Sequence, residues 1–266
     1  MALRVVISGA SSGLGLALAQ HYLQQGANVA ACARRADLLQ SLSEQFPGQV
    51  YCYPLDVRDA AALQAAAQHF IEQVGVPDIV IANAGVSSGT LTEYAEDIHA
   101  FQQVMDINVM GVVKTFQPFI AAMKAAASNT LASPVKGRPA GILVGVASVA
   151  GFRGLPGAGA YSASKAALIS YLESLRVELH GSGVSVVTLC PGYIETPMTA
   201  INPYAMPFIL PVDKAVQRIV RVIAARKSFA VVPWQMGLVG HVLKRLPHWL
   251  YKRILSKAKH KPRGLI

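Results

Sequence analysis

From Leu3 to Tyr22 the chain passes from a short apolar stretch, through a glycine-rich turn, into a run with helical spacing. Leu3-Arg4-Val5-Val6-Ile7 reads as a strand, and Ser8-Gly9-Ala10-Ser11-Ser12-Gly13-Leu14-Gly15 as a turn. Leu16, Ala17, Leu18, Ala19 and Tyr22 then mark the inner face of a helix. This order makes a dinucleotide-binding unit: glycines let the backbone approach a pyrophosphate, which rests on the helix N-terminus. The spacing is Gly-x3-Gly-x-Gly rather than the commoner Gly-x-Gly-x-x-Gly, and glycine-rich turns also occur without nucleotides. The unit therefore has to be weighed with the rest of the chain.

Beyond Tyr22 the alternation of strand and helix repeats. Strand-like runs are read at Asn28–Ala33, around Val50–Pro54, and at Asp78–Ala82, Gly141–Ala147 and Val184–Leu189. Helix-like runs are read at Ala36–Phe46, Ala60–Val74, Phe101–Met123 and Tyr161–His180. Uninterrupted apolar strands alternating with helices indicate an α/β chain with a parallel sheet covered on both faces. Residues 128–139, with Pro134, Lys136, Gly137, Arg138 and Pro139, read as a surface loop. Gly151–Gly159 reads as a mobile link, and Pro197–Pro211 as a lid or substrate wall, or as packed core or a dimer contact. Hydrophobic residues are 53% and charged residues 14% of the 266, enough for a substantial core and against general disorder.

The second strand ends at Arg34-Arg35, where the ribose-reading acid of an NAD site would fall. A cation there suits a 2′-phosphate and favours NADP(H) over NAD(H); the alternative is two arginines at the start of a solvated helix. Asp56 sits where a strand end meets an adenine. Tyr161 and Lys165 are four apart, so a helix stacks them on one face. A phenol titrates near pH 10, and an adjacent ammonium favours the phenolate, so the pair reads as a tuned acid/base or as an exposed helix face.

Cys32, Cys52 and Cys190 lack metal-like spacing and lie in or beside apolar runs, which reads as buried free thiols in a reducing, cytoplasmic compartment. No Cys/His cluster suggests a metal, and no stretch is apolar and long enough to span a bilayer.

These residues, taken in order, resemble the short-chain dehydrogenase/reductase family from residue 3 to about 235. The resemblance is carried by Gly9/Gly13/Gly15, Asp56-Val57, Asn83-Ala84-Gly85, Asn108, Ser148 thirteen positions before Tyr161, Tyr161-x3-Lys165, and Pro191-Gly192 with Thr196. It implies a single-domain Rossmann fold, a doubly wound parallel sheet of about seven strands flanked by helices. It also implies a homodimer or homotetramer. By resemblance, Tyr161 exchanges the proton with a carbonyl or alcohol, Ser148 holds that oxygen, and Lys165 binds the nicotinamide ribose and depresses the Tyr161 pKa. Asn108 holds a relay water. Gly9, Ser11, Gly13, Leu14 and Gly15 line the pyrophosphate, and Ser12 stands where many NADP-preferring members carry a basic residue. Arg34 and Arg35 face the 2′-phosphate, Asp56 and Val57 the adenine, and Asn83, Ala84 and Gly85 the ribose. Pro191, Gly192, Ile194 and Thr196 border the carboxamide.

The function so implied is an NADP-dependent oxidoreductase acting on a small carbonyl or secondary alcohol. Met198, Met206, Phe208, Ile209 and Leu210 point to an apolar substrate, lipid, steroid-like or long-chain acyl. The alternative is an idle NADP-binding sensor or scaffold, which would be expected to have lost one of the four catalytic positions. Of the 24 Lys and Arg, 13 lie after residue 213, where none of the 14 Asp and Glu do. That concentration raises nucleic-acid binding, but the tail lacks regular aromatic platforms, so no nucleic-acid partner is expected. The catalytic domain is read as 1–235 and a basic amphipathic tail as 236–266. Leu238, Val239, Val242, Leu243, Leu246, Trp249, Leu250 and Ile254 fall on one side of a helix that Pro247 should kink or split. Lys244, Arg245, His248, Lys252, Lys257 and Lys259 lie largely elsewhere. Such a helix lies on an anionic membrane surface or packs on its own domain or a second subunit.

Overall fold

A computed structural model describes residues 2–132, 141–257 and 260–263. Seven strands form one parallel sheet: β1 (Arg4–Ser8), β2 (Asn28–Ala33), β3 (Val50–Pro54), β4 (Ile79–Ala82), β5 (Ile142–Val146), β6 (Ser185–Pro191) and β7 (Phe229–Val232). Their order is β3-β2-β1-β4-β5-β6-β7. Val5 lies opposite Val29 on one side and Ile79 on the other, so the central strands are apolar on both faces. β3 and β7 are the edges and the most exposed strands.

One face is covered by α1 (Gly13–Gln24), α2 (Ala36–Gln45) and α8 (Val212–Ala224), through Leu18, Leu23, Leu39, Ile219 and Ile223. The other is covered by α3 (Ala60–Gln73), α5 (Gly111–Ala132) and α6 (Gly159–Glu178), through Phe70, Phe116, Met123, Leu168 and Leu172. Truncating any of these fully buried side chains to alanine costs roughly 2–5 kcal/mol. Between α3 and α5 lie β4 and α4 (Asp97–Met105); α7 (Pro197–Ala200) comes after β6, and α9 (Trp234–Arg245) and α10 (His248–Leu255) close the chain. The strand order reverses between β1 and β4, opening a crevice at their carboxyl ends.

Several expectations are corrected. The helical region read as Phe101–Met123 begins at Asp97 and is interrupted by a π-helical turn at Asp106–Met110. Of the surface loop read at 128–139, residues 128–132 continue α5, with Ser128 Oγ bonding back to Lys124 O; the rest lies outside the described residues. Cys32 and Cys190 are buried free thiols, whereas Cys52, on edge strand β3, is half-buried.

The link Gly151–Gly159 is held rather than loose. Val149–Gly151 forms a 3-10 turn, Leu155 N donates to Ser162 Oγ, and Thr90 N donates to Gly157 O. Arg153 donates to the Leu243 and Leu246 carbonyls at the end of α9 and stacks 4.0 Å over Tyr251.

The boundary read at 235/236 falls inside α9. The tail helix does split at Leu246–Pro247, but its apolar residues are shared between two faces. Val239, Leu243, Leu246 and Leu250 are half-buried, while Trp234, Leu238 and Val242, each one turn apart, are exposed, as are Trp249 and Ile254. Lys259 lies outside the described residues. Among the described residues no helix is long and apolar enough to cross a membrane.

Candidate active site

The crevice holds a cavity of about 310 Å³. Its floor is the turn between β1 and α1. Gly9 has φ +73°, and a Cβ there would come within 2.8 Å of Ala84 Cα. A Cβ on Gly15 would sit 2.2 Å from Gly9 O and 2.4 Å from Asn83 Nδ2. Only glycine lets turn, helix start and the Asn83 segment close on one another. Asn83 Nδ2 donates to Ser8 O (3.2 Å) and Gly9 O (3.3 Å), and Ser8 Oγ accepts from Asn83 N and Ala84 N. The first turn of α1 has no side-chain cap and no acid, so its N–H groups and dipole are free to face an anion.

Around this floor the structure brings together most of the residues picked out in the sequence. Gly9, Ser11, Ser12, Gly13, Leu14, Arg34, Arg35, Asp56, Val57, Asn83, Ala84, Gly85, Ser148, Tyr161, Lys165, Pro191, Gly192, Ile194 and Thr196 all line the cavity. Gly15 and Asn108 do not; one packs beneath the turn and the other stands behind the wall.

Arg35 Nη2 donates to Ser11 Oγ (3.0 Å) and Ser12 Oγ (2.7 Å), while Arg34 is exposed at the rim. Asp56 is gripped by Arg58 in a 2.7 Å ion pair, and that hydrogen-bonded guanidinium holds its carboxyl below the usual range. Ser12 thus has a guanidinium against it, supplied from β2's end rather than from its own turn.

At the opposite end, α6 presents Tyr161 and, one turn on, Lys165. Lys165 is buried; its Nζ donates to Val146 O (2.8 Å) and lies 5.7 Å from the Tyr161 ring centre. Burial pulls the Lys165 pKa down to about 8, leaving it mostly protonated at neutral pH. Burial of the Tyr161 hydroxyl pushes its pKa up, the Ser148 hydroxyl opposes that rise, and the neighbouring Cys190 adds to it. The spacing placed the two side chains on one face, but the ammonium turns toward Val146 O.

Ser148 begins the 3-10 turn, its Oγ accepting from Ala150 N (3.1 Å) and lying 3.4 Å from Pro191 O. Asn108 sits in the π-turn, fully buried and fully used: Oδ1 accepts from Val86 N (2.8 Å), and Nδ2 donates to Val86 O (2.9 Å) and Ser164 Oγ (3.0 Å). A Cβ on Gly85 would lie 3.2 Å from Asn108 Oδ1 and 3.5 Å from Lys165 Nζ, so this glycine keeps the space between them open.

Sequence reasoning missed the supports: Ser8 beneath Asn83, Val146 O under Lys165, Ser164 beside Asn108 and Arg58 on Asp56. Ser8 opens the glycine turn and Ser164 stands inside the Tyr161-x3-Lys165 motif; nothing in the sequence marks a backbone carbonyl. Pro197, Met198 and Thr199 bring the expected lid segment to the cavity edge, and Thr199 Oγ1 donates to Ile194 O.

The residues fit a nicotinamide dinucleotide: a glycine floor that a Cβ would fill, an uncapped helix start, a cation at the ribose end and a Tyr/Ser/Lys group at the other. No group of three or more His, Cys, Asp or Glu among the described residues is placed to hold a metal ion.

Comparison with known proteins agrees with this geometry. An uncharacterized oxidoreductase of Myxococcus xanthus is 36% identical over 249 residues, 92% of this chain and 93% of that protein. The 2-(R)-hydroxypropyl-CoM dehydrogenase of Xanthobacter autotrophicus is 33% identical over 202 residues, 73% of this chain and 75% of its own. Two solved structures share the fold. A short chain dehydrogenase from Burkholderia cenocepacia in complex with NADP has a TM-score of 0.79, at 24% identity over 96% of this chain and 98% of that one. One from Burkholderia phymatum in complex with NAD also has 0.79, at 22% identity over 99% and 98%. A family model for short chain dehydrogenases matches residues 4–204. With its glycine turn, its Ser148/Tyr161/Lys165 group and that match, the chain belongs to the short-chain dehydrogenase family of oxidoreductases.

Proposed function

We propose that the chain is an NADP-dependent oxidoreductase acting on a carbonyl or secondary alcohol carried by an apolar molecule. The observation that carries this reading is that Ser148, Tyr161 and Lys165 share one cavity with the glycine turn and Arg34. The cofactor supplies or accepts the hydride; the protein's own part is to orient and to move a proton. Tyr161 gives its hydroxyl proton to the forming alkoxide, or takes one in the reverse direction. Ser148 Oγ donates to the same oxygen and stabilises its charge. Lys165 holds the nicotinamide ribose, and Asn108, through the Val86 peptide and Ser164, steadies the wall behind it and the relay water. Arg34 faces the 2′-phosphate from the rim while Arg35 braces the turn. Asp56 and Val57 border the adenine, and Ile194 and Thr196 the carboxamide. Met198 at the cavity edge, with Ile201, Phe208 and Ile209 exposed nearby in sequence, makes an apolar approach.

An idle sensor or scaffold is the less economical reading, because none of the four catalytic positions is altered. The working particle is taken as a cytoplasmic homodimer or homotetramer, with Ile98 and Phe101 on α4 exposed for a second copy. The exposed stripe of α9 and α10 with its lysines and arginines touches an anionic membrane surface, the 1–235 unit carrying the chemistry.

The test is a screen of ketones and alcohols of rising chain length with NADPH, NADH and their oxidised forms, on wild type and Tyr161→Phe. Loss of a general acid/base lowers turnover roughly 10²–10⁴-fold, while NADPH binding by the variant is expected to persist. Near wild-type turnover by the variant overturns the role of Tyr161; no turnover of any carbonyl by wild type favours the idle reading.

A further inference from the structure

Between Ser148 and Tyr161 the chain leaves the sheet, turns and enters α6, and its hold on the molecule changes along the way. At the near end Gly151 packs on α6, where a Cβ would lie 2.7 Å from the Lys165 carbonyl carbon. At the far end Leu155 N donates to Ser162 Oγ (3.2 Å) and Thr90 N donates to Gly157 O (3.1 Å). Between these points residues 152–154 lean on the C-terminal helices. A Cβ on Gly240 of α9 would lie 2.3 Å from Phe152 Cδ2. Arg153 bonds the end of α9, and Tyr251 of α10 donates its hydroxyl proton to Gly154 O.

The Arg153 contact follows from the sequence of α9. In a helix the Leu243 carbonyl accepts from the N–H four residues on, but that residue is Pro247, which has none. Arg153 Nη1 supplies the missing donor to Leu243 O and bonds Leu246 O as well, at 2.7 Å. The cation also meets the negative end of the α9 dipole. Its guanidinium carbon lies 4.0 Å from the Tyr251 ring centre, and the Tyr251 hydroxyl returns a bond to the next residue, Gly154. A half-buried arginine held by two carbonyls and a ring is fixed in place, and so is the backbone that carries it.

We propose that Arg153 is a positioning residue for the reaction: with Tyr251 it fixes the span between Ser148 and Tyr161, so that both hydroxyls reach the same substrate oxygen. This rests on the oxidoreductase reading and goes beyond it: the C-terminal helices supply no catalytic group, yet they set the geometry of those in the 1–235 unit. The Ser148 hydroxyl opposes the burial that raises the Tyr161 pKa, and moving the two apart removes that help. Lys165 on α6, Cys190 on β6 and Tyr204 beyond α7 also act on Tyr161 or lie near it, and none of them is among the described partners of Arg153.

The experiment compares the full chain with Arg153→Met and with Tyr251→Phe, which loses only the bond to Gly154. Secondary alcohols from 2-butanol to 2-dodecanol are oxidised with NADP and with NAD across a range of pH. In Arg153→Met kcat is expected to fall about 10- to 100-fold, with KM for the cofactor unchanged. Oxidation quickens as Tyr161 ionises, so its pH profile should move to higher pH in Arg153→Met, and by less in Tyr251→Phe. A lower Tm with kcat and pH profile unmoved shows a merely structural role and overturns the proposal. A second measurement needs no turnover: NMR of protein carrying tyrosine labelled at Cζ, the Tyr161 signal being identified by its loss in Tyr161→Phe. That signal is expected to move in Arg153→Met, and an unmoved signal overturns the proposal. If Arg153→Met does not fold, the same two readouts on Tyr251→Phe decide it. A moved signal with no alcohol oxidised by wild type leaves Arg153 positioning Tyr161 and overturns the oxidoreductase reading instead.

Discussion

Arg34 and Arg35 leave the end of β2 side by side and do different work. Arg35, exposed like its neighbour, is engaged by Ser11 and Ser12, while Arg34 makes no hydrogen bond to a described residue. On the proposed NADP reading, Arg34 is the guanidinium left to meet a 2′-phosphate, and Arg34→Asp sets an anion there. A charge-assisted hydrogen bond to phosphate is worth about 1.5–3 kcal/mol. The ratio of kcat/KM for NADPH over NADH is therefore expected to fall by roughly 10- to 100-fold, and an unchanged ratio would show that Arg34 does not read that phosphate. Both arginines were legible in the sequence because a strand end fixes where they emerge. Their division of labour was not, since it depends on which guanidinium swings under the turn. Tyr161 gives the same lesson: spacing put it one turn before Lys165, but that the ammonium donates to the Val146 carbonyl needed the fold.

Elements were legible in proportion to their regularity. The Asn28–Ala33 and Val50–Pro54 strands fall where apolar runs place them, because a strand buried on both faces has no other composition available. The π-turn at Asp106–Met110 was not legible, since five residues are too few to show a period of their own; in the structure it holds Asn108 where its amide bonds both backbone polar atoms of Val86. Nor could periodicity reveal that residues 260–263 return across the molecule to the segment before α4. There, Arg263→Met removes the bonds to Asp97 and Glu96 and the stack on Tyr94. Asp97, nearly buried, would keep only its bond from Leu91 N. We expect a lower Tm than that of the parent. Faster hydrogen exchange should be confined to residues 87–98. Exchange raised evenly across the sheet would argue against a local clamp.

At the scale of the molecule, the basic C-terminal fifth is both a surface and a strut. Outward, Trp234, Leu238 and Val242 form an apolar stripe beside Lys244 and Arg245. Near an anionic bilayer each such cation contributes about 1 kcal/mol. Full-length protein is expected to co-sediment with anionic vesicles and less with neutral ones, and Trp234→Ser/Trp249→Ser to weaken both. Equal, negligible sedimentation of the parent and the double variant at low salt would leave the stripe to a second copy of the chain. The charge asymmetry was plain in the sequence; that the amphipathic run has two apolar faces, one toward Arg153's loop and one outward, needed the fold. The frame around Tyr161 joins stretches far apart in sequence: the glycine turn stands long before the tyrosine, and the loops beside it are braced by Lys261, Pro262 and Arg263, long after it. Non-local contacts of this kind are made late in folding, because the chain between them has to be ordered first, so the frame closes only as the whole sheet comes together.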